Sequence, residues 1–157
     1  MRNTIDYREY PVLFVDDEPE IVETLRLSYE RDFTVLGVTS GEEALAVVAG
    51  EPVAVLVTDQ RMPGMSGLEV IARALELRPT LVPMILTGYT EIEVLVDAVN
   101  RGDVDRYILK PWDTSELRLA MRSAIEKFHL ARENTRLWQE NQRLIAELRR
   151  AREWVPE

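Results

Sequence analysis

The sequence predicts an α/β domain, a parallel five-stranded sheet with helices on both faces, running into one long C-terminal helix. Three observations predict it. Up to residue 113, short apolar runs alternate with amphipathic stretches. Three of the runs are nearly continuous rather than alternating, as strands buried on both faces are. From residue 114 onward Pro and Gly disappear until Pro156. A length of 157 residues suits one domain with an appendage.

The strands are expected at Val12–Val15, Thr34–Val38, Val53–Thr58, Val82–Leu86 and Arg106–Leu109. Pro19 suits a first helical turn, where its missing N–H costs nothing, and opens a helix to about Arg31. Ser40-x-x-Glu43, Ser66-x-x-Glu69 and Thr90-x-x-Glu93 have the capping-box form and should start the next three helices. Asp113 or Thr114 is expected to cap the last. Strands alternating with single helices imply right-handed crossovers and a parallel (βα)₅ sheet.

Composition narrows the function. The formal net charge is −9, divided as −11 over residues 1–113 and +2 over 114–157. So acidic a chain lacks the basic face that neutralises phosphates, and no direct nucleic-acid binding is expected. There is no cysteine, which removes thiolate nucleophiles, disulfides and Cys-ligated zinc. The longest apolar run, Ala44–Ala49, is far below the ~20 residues of a membrane span. No secretory signal is visible at the N-terminus. The expectation is a soluble cytoplasmic protein without a membrane partner.

In open α/β sheets, ligands bind beyond the carboxyl ends of the strands, at the point where strand order reverses. The predicted strand ends carry Asp16-Asp17-Glu18, Asp59, Thr87-Gly88 and Lys110-Pro111. Any one of these alone is more often a turn or a cap. Together they bring three carboxylates, a hydroxyl and an ammonium to one edge. Crowded carboxylates need a cation, and an all-oxygen set suits Mg²⁺. The lysine adds a fixed charge for a transferring phosphoryl group, and one carboxylate can act as nucleophile.

Over residues 9–128 the chain resembles the receiver domains of two-component response regulators. The matching runs are Phe14-Val15-Asp16-Asp17-Glu18, Asp59-Gln60-Arg61-Met62-Pro63-Gly64-Met65-Ser66-Gly67, Leu86-Thr87-Gly88 and Tyr107-Ile108-Leu109-Lys110-Pro111. The resemblance implies a flavodoxin-like, doubly wound sheet with strand order 2-1-3-4-5. The receiver domain is expected over 1–128, its core about 9–128, followed by a coiled-coil signalling helix over 129–157 that is continuous with the last receiver helix. Asp59 would be the phosphoacceptor, served by a sensor histidine kinase or phosphotransfer protein. Asp17, Asp59 and the main-chain carbonyl of Arg61 would ligate Mg²⁺ directly, and Asp16 through a water. Lys110 would pair with the phosphoryl oxygens, its bond to Pro111 being cis. Thr87 would turn toward the phosphate and let Tyr107 move inward. The protein would not be an enzyme in the ordinary sense, although phosphotransfer and dephosphorylation would be self-catalysed.

In this family the residues two beyond the phosphoacceptor and two beyond the threonine flank the path of the hydrolytic water. Here they are the bulky Arg61 and Tyr89, which would make an aspartyl-phosphate long-lived; Gly88 leaves room beside it. Gln60 and Trp112 fit a subgroup attached to ATP-dependent transcription activators or cyclic-dinucleotide enzymes, so a downstream effector domain is expected.

The last helix should run from Thr114 to about Glu153, ~60 Å at 1.5 Å per residue. Leu117, Met121, Ala124, Ile125 and Phe128 would face the sheet. Beyond them a heptad stripe places Asn134, Asn141, Leu148 and Val155 at a, and Leu130, Leu137, Leu144 and Ala151 at d. Leu at d with Asn at a favours a parallel homodimer, with Glu147 and Arg152 pairing between chains. The competing structure is a solvated helix whose leucines and Trp138 fold back on their own domain. Arg149-Arg150-Ala151-Arg152 fits a solvated face better than a DNA contact. His129 is isolated at the seam, with no metal or catalytic role expected.

Two other functions compete. A Mg²⁺-dependent phosphohydrolase of the haloacid-dehalogenase type forms an aspartyl-phosphate, but carries Asp-x-Asp-x-Thr after its first strand. Asp16-Asp17-Glu18-Pro19-Glu20 stands there instead. An unphosphorylated docking or dimerisation module would have no need to keep Asp16, Asp17, Asp59, Thr87 and Lys110 together.

Overall fold

A computed structural model describes residues 4–154, with Tyr89 described by its backbone alone. Val155, assigned to the heptad stripe, lies outside the described residues. Strands β1 (Val12–Val15), β2 (Val35–Val38), β3 (Val55–Asp59), β4 (Val82–Thr87) and β5 (Arg106–Leu109) form one parallel sheet in the order β2-β1-β3-β4-β5. Between and after them run α1 (Pro19–Tyr29), α2 (Gly41–Gly50), α3 (Gly67–Leu77), α4 (Ile92–Asn100) and α5 (Thr114–Glu153). The flavodoxin-like fold expected from the sequence is the fold observed.

Alternate residues of each strand feed two cores. Val12 and Phe14 of β1 pack with Leu25 and Tyr29 of α1 and Leu117, Met121 and Ile125 of α5. Leu13 and Val15, on the opposite face, pack with Ala44 and Val48 of α2, Val70 and Ile71 of α3, and Leu95 of α4. This double burial accounts for the near-continuous apolar runs, since the period-2 strand gives both faces a core to fill.

Ends differ by a residue or two from the sequence expectation, for local reasons. Thr34 stands just outside β2, its hydroxyl donating to the Arg8 carbonyl at 2.6 Å. Strand β3 begins at Val55 and runs on through Asp59, which pairs with Leu86. The helix from Pro19 stops at Tyr29, whose carbonyl accepts from both Asp32 and Phe33 N–H in a tightening turn.

Three of the four expected caps form. Ser40 accepts from Glu43 N–H, Ser66 from Glu69 N–H and Asp113 from Glu116 N–H. Thr90 does not cap α4. Tyr89–Glu91 is instead a 3-10 turn, α4 starts at Ile92, and Glu91 at its N-cap makes no side-chain capping bond.

An N-terminal segment that the sequence left unread straps α5 in place. Tyr7 donates its hydroxyl to Glu126 at 2.5 Å, and Tyr10 shares a short hydrogen bond with His129 Nδ1. Arg122 and Arg132 lie over the rings of Tyr7 and Tyr10, at 4.8 and 5.6 Å from their centroids. Tyr29 ties α1 to the start of α5 by donating to the Thr114 carbonyl at 2.9 Å. His129 therefore has a packing partner at the place where the helix leaves the domain.

Candidate functional site

The sheet order makes the site. Strand β1 is interior, its chain crossing to β2 on one side and pairing with β3 on the other, so the loops after β1 and β3 open side by side. Asp16 and Asp17 follow β1 directly, Asp59 closes β3, Thr87 closes β4, and Lys110 follows β5. Carboxylate oxygens of Asp16, Asp17 and Asp59 all come within 4.8 Å of one another. Lys110 Nζ bridges two of them, 3.1 Å from Asp16 Oδ2 and 3.2 Å from Asp59 Oδ1.

Each of these side chains is held by its surroundings. Asp16 is buried, and its Oδ1 accepts from Glu18 N–H at 2.9 Å, leaving Oδ2 for Lys110. Thr87 is 1% exposed, so its hydroxyl must find a protein partner, and it donates to the Gly88 carbonyl at 3.2 Å. Lys110 is fixed through its backbone too, its N–H donating to the Thr87 carbonyl at 2.7 Å. The Lys110–Pro111 bond is cis, as the resemblance implied. Tyr107 is half-buried against the α2–α3–α4 side of the core.

The loop after β3 explains the spacing of its motif. Gly67 N–H donates to the Gln60 carbonyl at 3.0 Å, and the Gln60 side-chain oxygen accepts from Leu68 N–H at 3.0 Å, closing the loop on the start of α3. A Cβ on Gly67 would stand 2.4 Å from the Asp59 carbonyl oxygen, so only glycine lets α3 start this close to the end of β3. Gly64, with φ of 83°, supplies the left-handed turn between them.

Burial pushes the Asp59 carboxyl above the usual carboxylate range; Lys110 opposes the rise and the neighbouring Asp16 charge adds to it. At Lys110, burial pulls the ammonium down, but the hydrogen bond to Asp16 and the charges of Asp59 and Asp16 outweigh it and leave it raised. Three carboxylates thus stand together with one ammonium, which pairs with two of them. The remaining negative charge and an all-oxygen donor set fit a hard divalent cation.

One partner at the site was invisible in the sequence. Arg61 in the loop after β3 donates to Glu91 Oε1 at 2.8 Å, joining that loop to the 3-10 turn after β4. The two residues are 30 apart in the chain, and no local pattern links them.

A family model for the response regulator receiver domain matches residues 12–122. This chain belongs to that family. The receiver is 39% identical over 119 residues to the hydrogenase transcriptional regulatory protein HoxA of Cupriavidus necator, covering 76% of this chain and 25% of that one. It is 34% identical over 127 residues to the C4-dicarboxylate transport transcriptional regulatory protein DctD of Rhizobium meliloti, covering 80% and 27%. It thus spans about a quarter of the length of these curated relatives. Among solved structures it is similar to one described as adenylate cyclase from Rhodopirellula baltica, with a TM-score of 0.80, 35% identity, and 82% and 96% of the two chains covered. A receiver is a phosphorylation-dependent signalling module, and this membership sets aside the phosphohydrolase and the phosphorylation-free docking module.

Outside the site, the heptad residues of α5 do not meet the receiver body. Leu130, Leu137 and Leu148 are 66%, 54% and 70% exposed, and Trp138 is 64% exposed, so the stripe does not fold back on its own domain. Among the described residues, no helix is long and apolar enough to cross a membrane.

Proposed function

We propose that Asp59 is the phosphoacceptor of this receiver and that α5 carries the resulting change to a dimer and an output domain. The observation that carries the reading is the bridging position of Lys110 between Asp16 and Asp59, beside Asp17 and a buried Thr87. An oxygen of Asp59 attacks phosphorus, the bond to the imidazole nitrogen of a histidine kinase or phosphotransfer protein breaks, and that nitrogen keeps the electron pair. Asp17, Asp59 and the Arg61 carbonyl would hold Mg²⁺, with Asp16 acting through a water. When bound, the ion supplies charge neutralisation on the transferring group.

The receiver's own residues do the rest. Lys110 releases Asp59 and pairs with the phosphoryl oxygens, which bring ~1.5–2 new negative charges. Thr87 exchanges the Gly88 carbonyl for one of those oxygens, a trade that keeps its buried hydroxyl satisfied. Half-buried Tyr107 moves into the vacated space, and the α4–β5–α5 surface changes with it. By their positions in the family pattern, the bulky Arg61 and Tyr89 would slow the hydrolytic water and prolong the phosphorylated state, with Gly88 leaving the phosphate room. An Arg61→Asn/Tyr89→Ala variant should therefore lose phosphate faster than the parent, and an unchanged rate would sink that role.

The output reading draws on the names of the relatives, two transcriptional regulators and an adenylate cyclase. It places this receiver ahead of a transcription-activating or nucleotide-cyclase-like effector. The exposed stripe Leu130, Asn134, Leu137, Asn141, Leu144, Leu148 and Ala151 supports a parallel homodimer. The receiver unit would be 1–128 and the signalling helix 129–157. Sedimentation with Mg²⁺, before and after beryllofluoride, tests both parts beside Asp59→Asn. The parent should bind beryllofluoride and Asp59→Asn should not; a parent that binds none refutes the phosphoacceptor assignment. A protein monomeric in both states refutes the coil.

A further inference from the structure

Arg61 and Glu91 stand on two different loops that share one base. Arg61 is two residues beyond Asp59, and Glu91 is four beyond Thr87. Asp59 and Leu86 pair across β3 and β4, so Thr87 leaves its strand directly beside the loop that carries Arg61. The 2.8 Å ion pair therefore spans the mouth between the two loops that flank the phosphoacceptor position.

The two partners are unequally held. The Arg61 side chain is 76% exposed and that of Glu91 only 26%. The guanidinium thus stands mostly in solvent on a long stem, while the carboxylate is mostly buried at the turn that opens α4. A planar fork of five donors binds phosphate oxygens at least as well as a single carboxylate. An exposed ion pair is also weak enough to be exchanged for a stronger anion.

We propose that Arg61 is a second phosphoryl-binding cation beside Lys110, and that Glu91 is its positioning residue, holding the guanidinium until an anion at Asp59 competes it away. The proposal rests on Asp59 being the phosphoacceptor. Before phosphorylation the pair ties the loop after β3 to the turn after β4. A phosphoryl group draws Arg61 inward and releases Glu91, so the turn that opens α4 is untied by the same event that recruits Thr87. Glu91 thereby sets the threshold for anion binding: the firmer its hold on Arg61, the more anion is needed to fill the site.

The test is a beryllofluoride titration with Mg²⁺ on the full chain, followed by calorimetry. Glu91→Gln should tighten beryllofluoride binding about threefold to fivefold, the upper part of the range for an exposed ion pair. Arg61→Gln should weaken it below the parent. The Arg61→Gln/Glu91→Gln double variant should match Arg61→Gln, the gain having vanished with the cation it released. Glu93→Gln removes the same charge from an exposed position in the first turn of α4 and should stay within about twofold of the parent.

A Glu91→Gln protein with unchanged affinity overturns the proposal. So does a gain that survives in the double variant or is matched by Glu93→Gln, either of which is a general charge effect. If Glu91→Gln fails to fold, the Arg61→Gln arm decides alone, and parent-like binding there overturns it. A parent that binds no beryllofluoride fails differently, removing the phosphoacceptor assignment and this inference together.

Discussion

Helix α5 is one unbroken element in two environments. Over its first turns Leu117, Ala120, Met121, Ala124 and Ile125 are almost fully buried against the sheet. Past His129 the apolar residues stand in solvent, Leu130, Leu137 and Leu148 each more than half exposed. Both halves are apolar at helical spacing, but the first repeats to fit a sheet and the second in heptads. The difference teaches that periodicity reports the shape of a surface as well as the fact of burial: the receiver body satisfies the first half, and the second carries a heptad spacing that no part of the receiver body covers.

The largest effect that sharpens this contrast is at Leu117. Leu117→Ala should cost about 2–5 kcal/mol of unfolding free energy, the range for a leucine cavity in a closed core. Leu137→Ala should leave the unfolding of the receiver body within ~0.5 kcal/mol while shifting sedimentation toward monomer. Chemical denaturation and sedimentation of the two variants read both halves, and equal losses of stability would erase the distinction.

Next in size is Gly67→Ala. A Cβ facing the Asp59 carbonyl at 2.4 Å forces α3 or the end of β3 to shift, with a cost of about 1–3 kcal/mol. It should also weaken beryllofluoride binding, which separates it from a pure stability defect. Removal of the Asp113 cap by Asp113→Ala should cost about 1 kcal/mol. Because Asp113 starts the buried half, that loss should appear in denaturation of the receiver body and leave the heptad half untouched.

The smallest effect is a pH dependence carried by the receiver body. The folded Asp59 carboxyl sits above its unfolded value because of burial. A raised carboxyl stabilises the fold below the unfolded value and loses that contribution as pH rises through the folded one. Metal-free Asp59→Asn should therefore melt above the parent near about pH 7, with the gain shrinking as pH falls toward ~4. Adding Mg²⁺ should raise the parent's melting temperature more than the variant's.

Much of this was legible because the relevant signals are local. Strands buried on both faces announce themselves as apolar runs, and Ser40, Ser66 and Asp113 cap helices through neighbours three residues on. Parallel (βα) order then carries Asp16, Asp17, Asp59, Thr87 and Lys110 to one edge without any further information. What the sequence hid depends on distance along the chain. Tyr7–Glu126 and Tyr10–His129 are 119 residues apart, and Arg61–Glu91 are 30 apart. Thr90 misled because a capping box is a permissive pattern. The backbone at Tyr89–Glu91 tightened into a 3-10 turn, and the Glu91 side chain reached across to Arg61.

The cap at Asp113 lies three residues after Lys110, so the cation of the site and the root of α5 share a few bonds of backbone. The Tyr10–His129 contact pins the same helix where it leaves the body. Between these points α5 is clamped, and beyond them it is a rigid arm of ~38 Å at 1.5 Å per residue. A tilt of about 10° at the clamp, too small to disturb the core packing, sweeps the far tip through roughly 6–7 Å, more than one helical pitch.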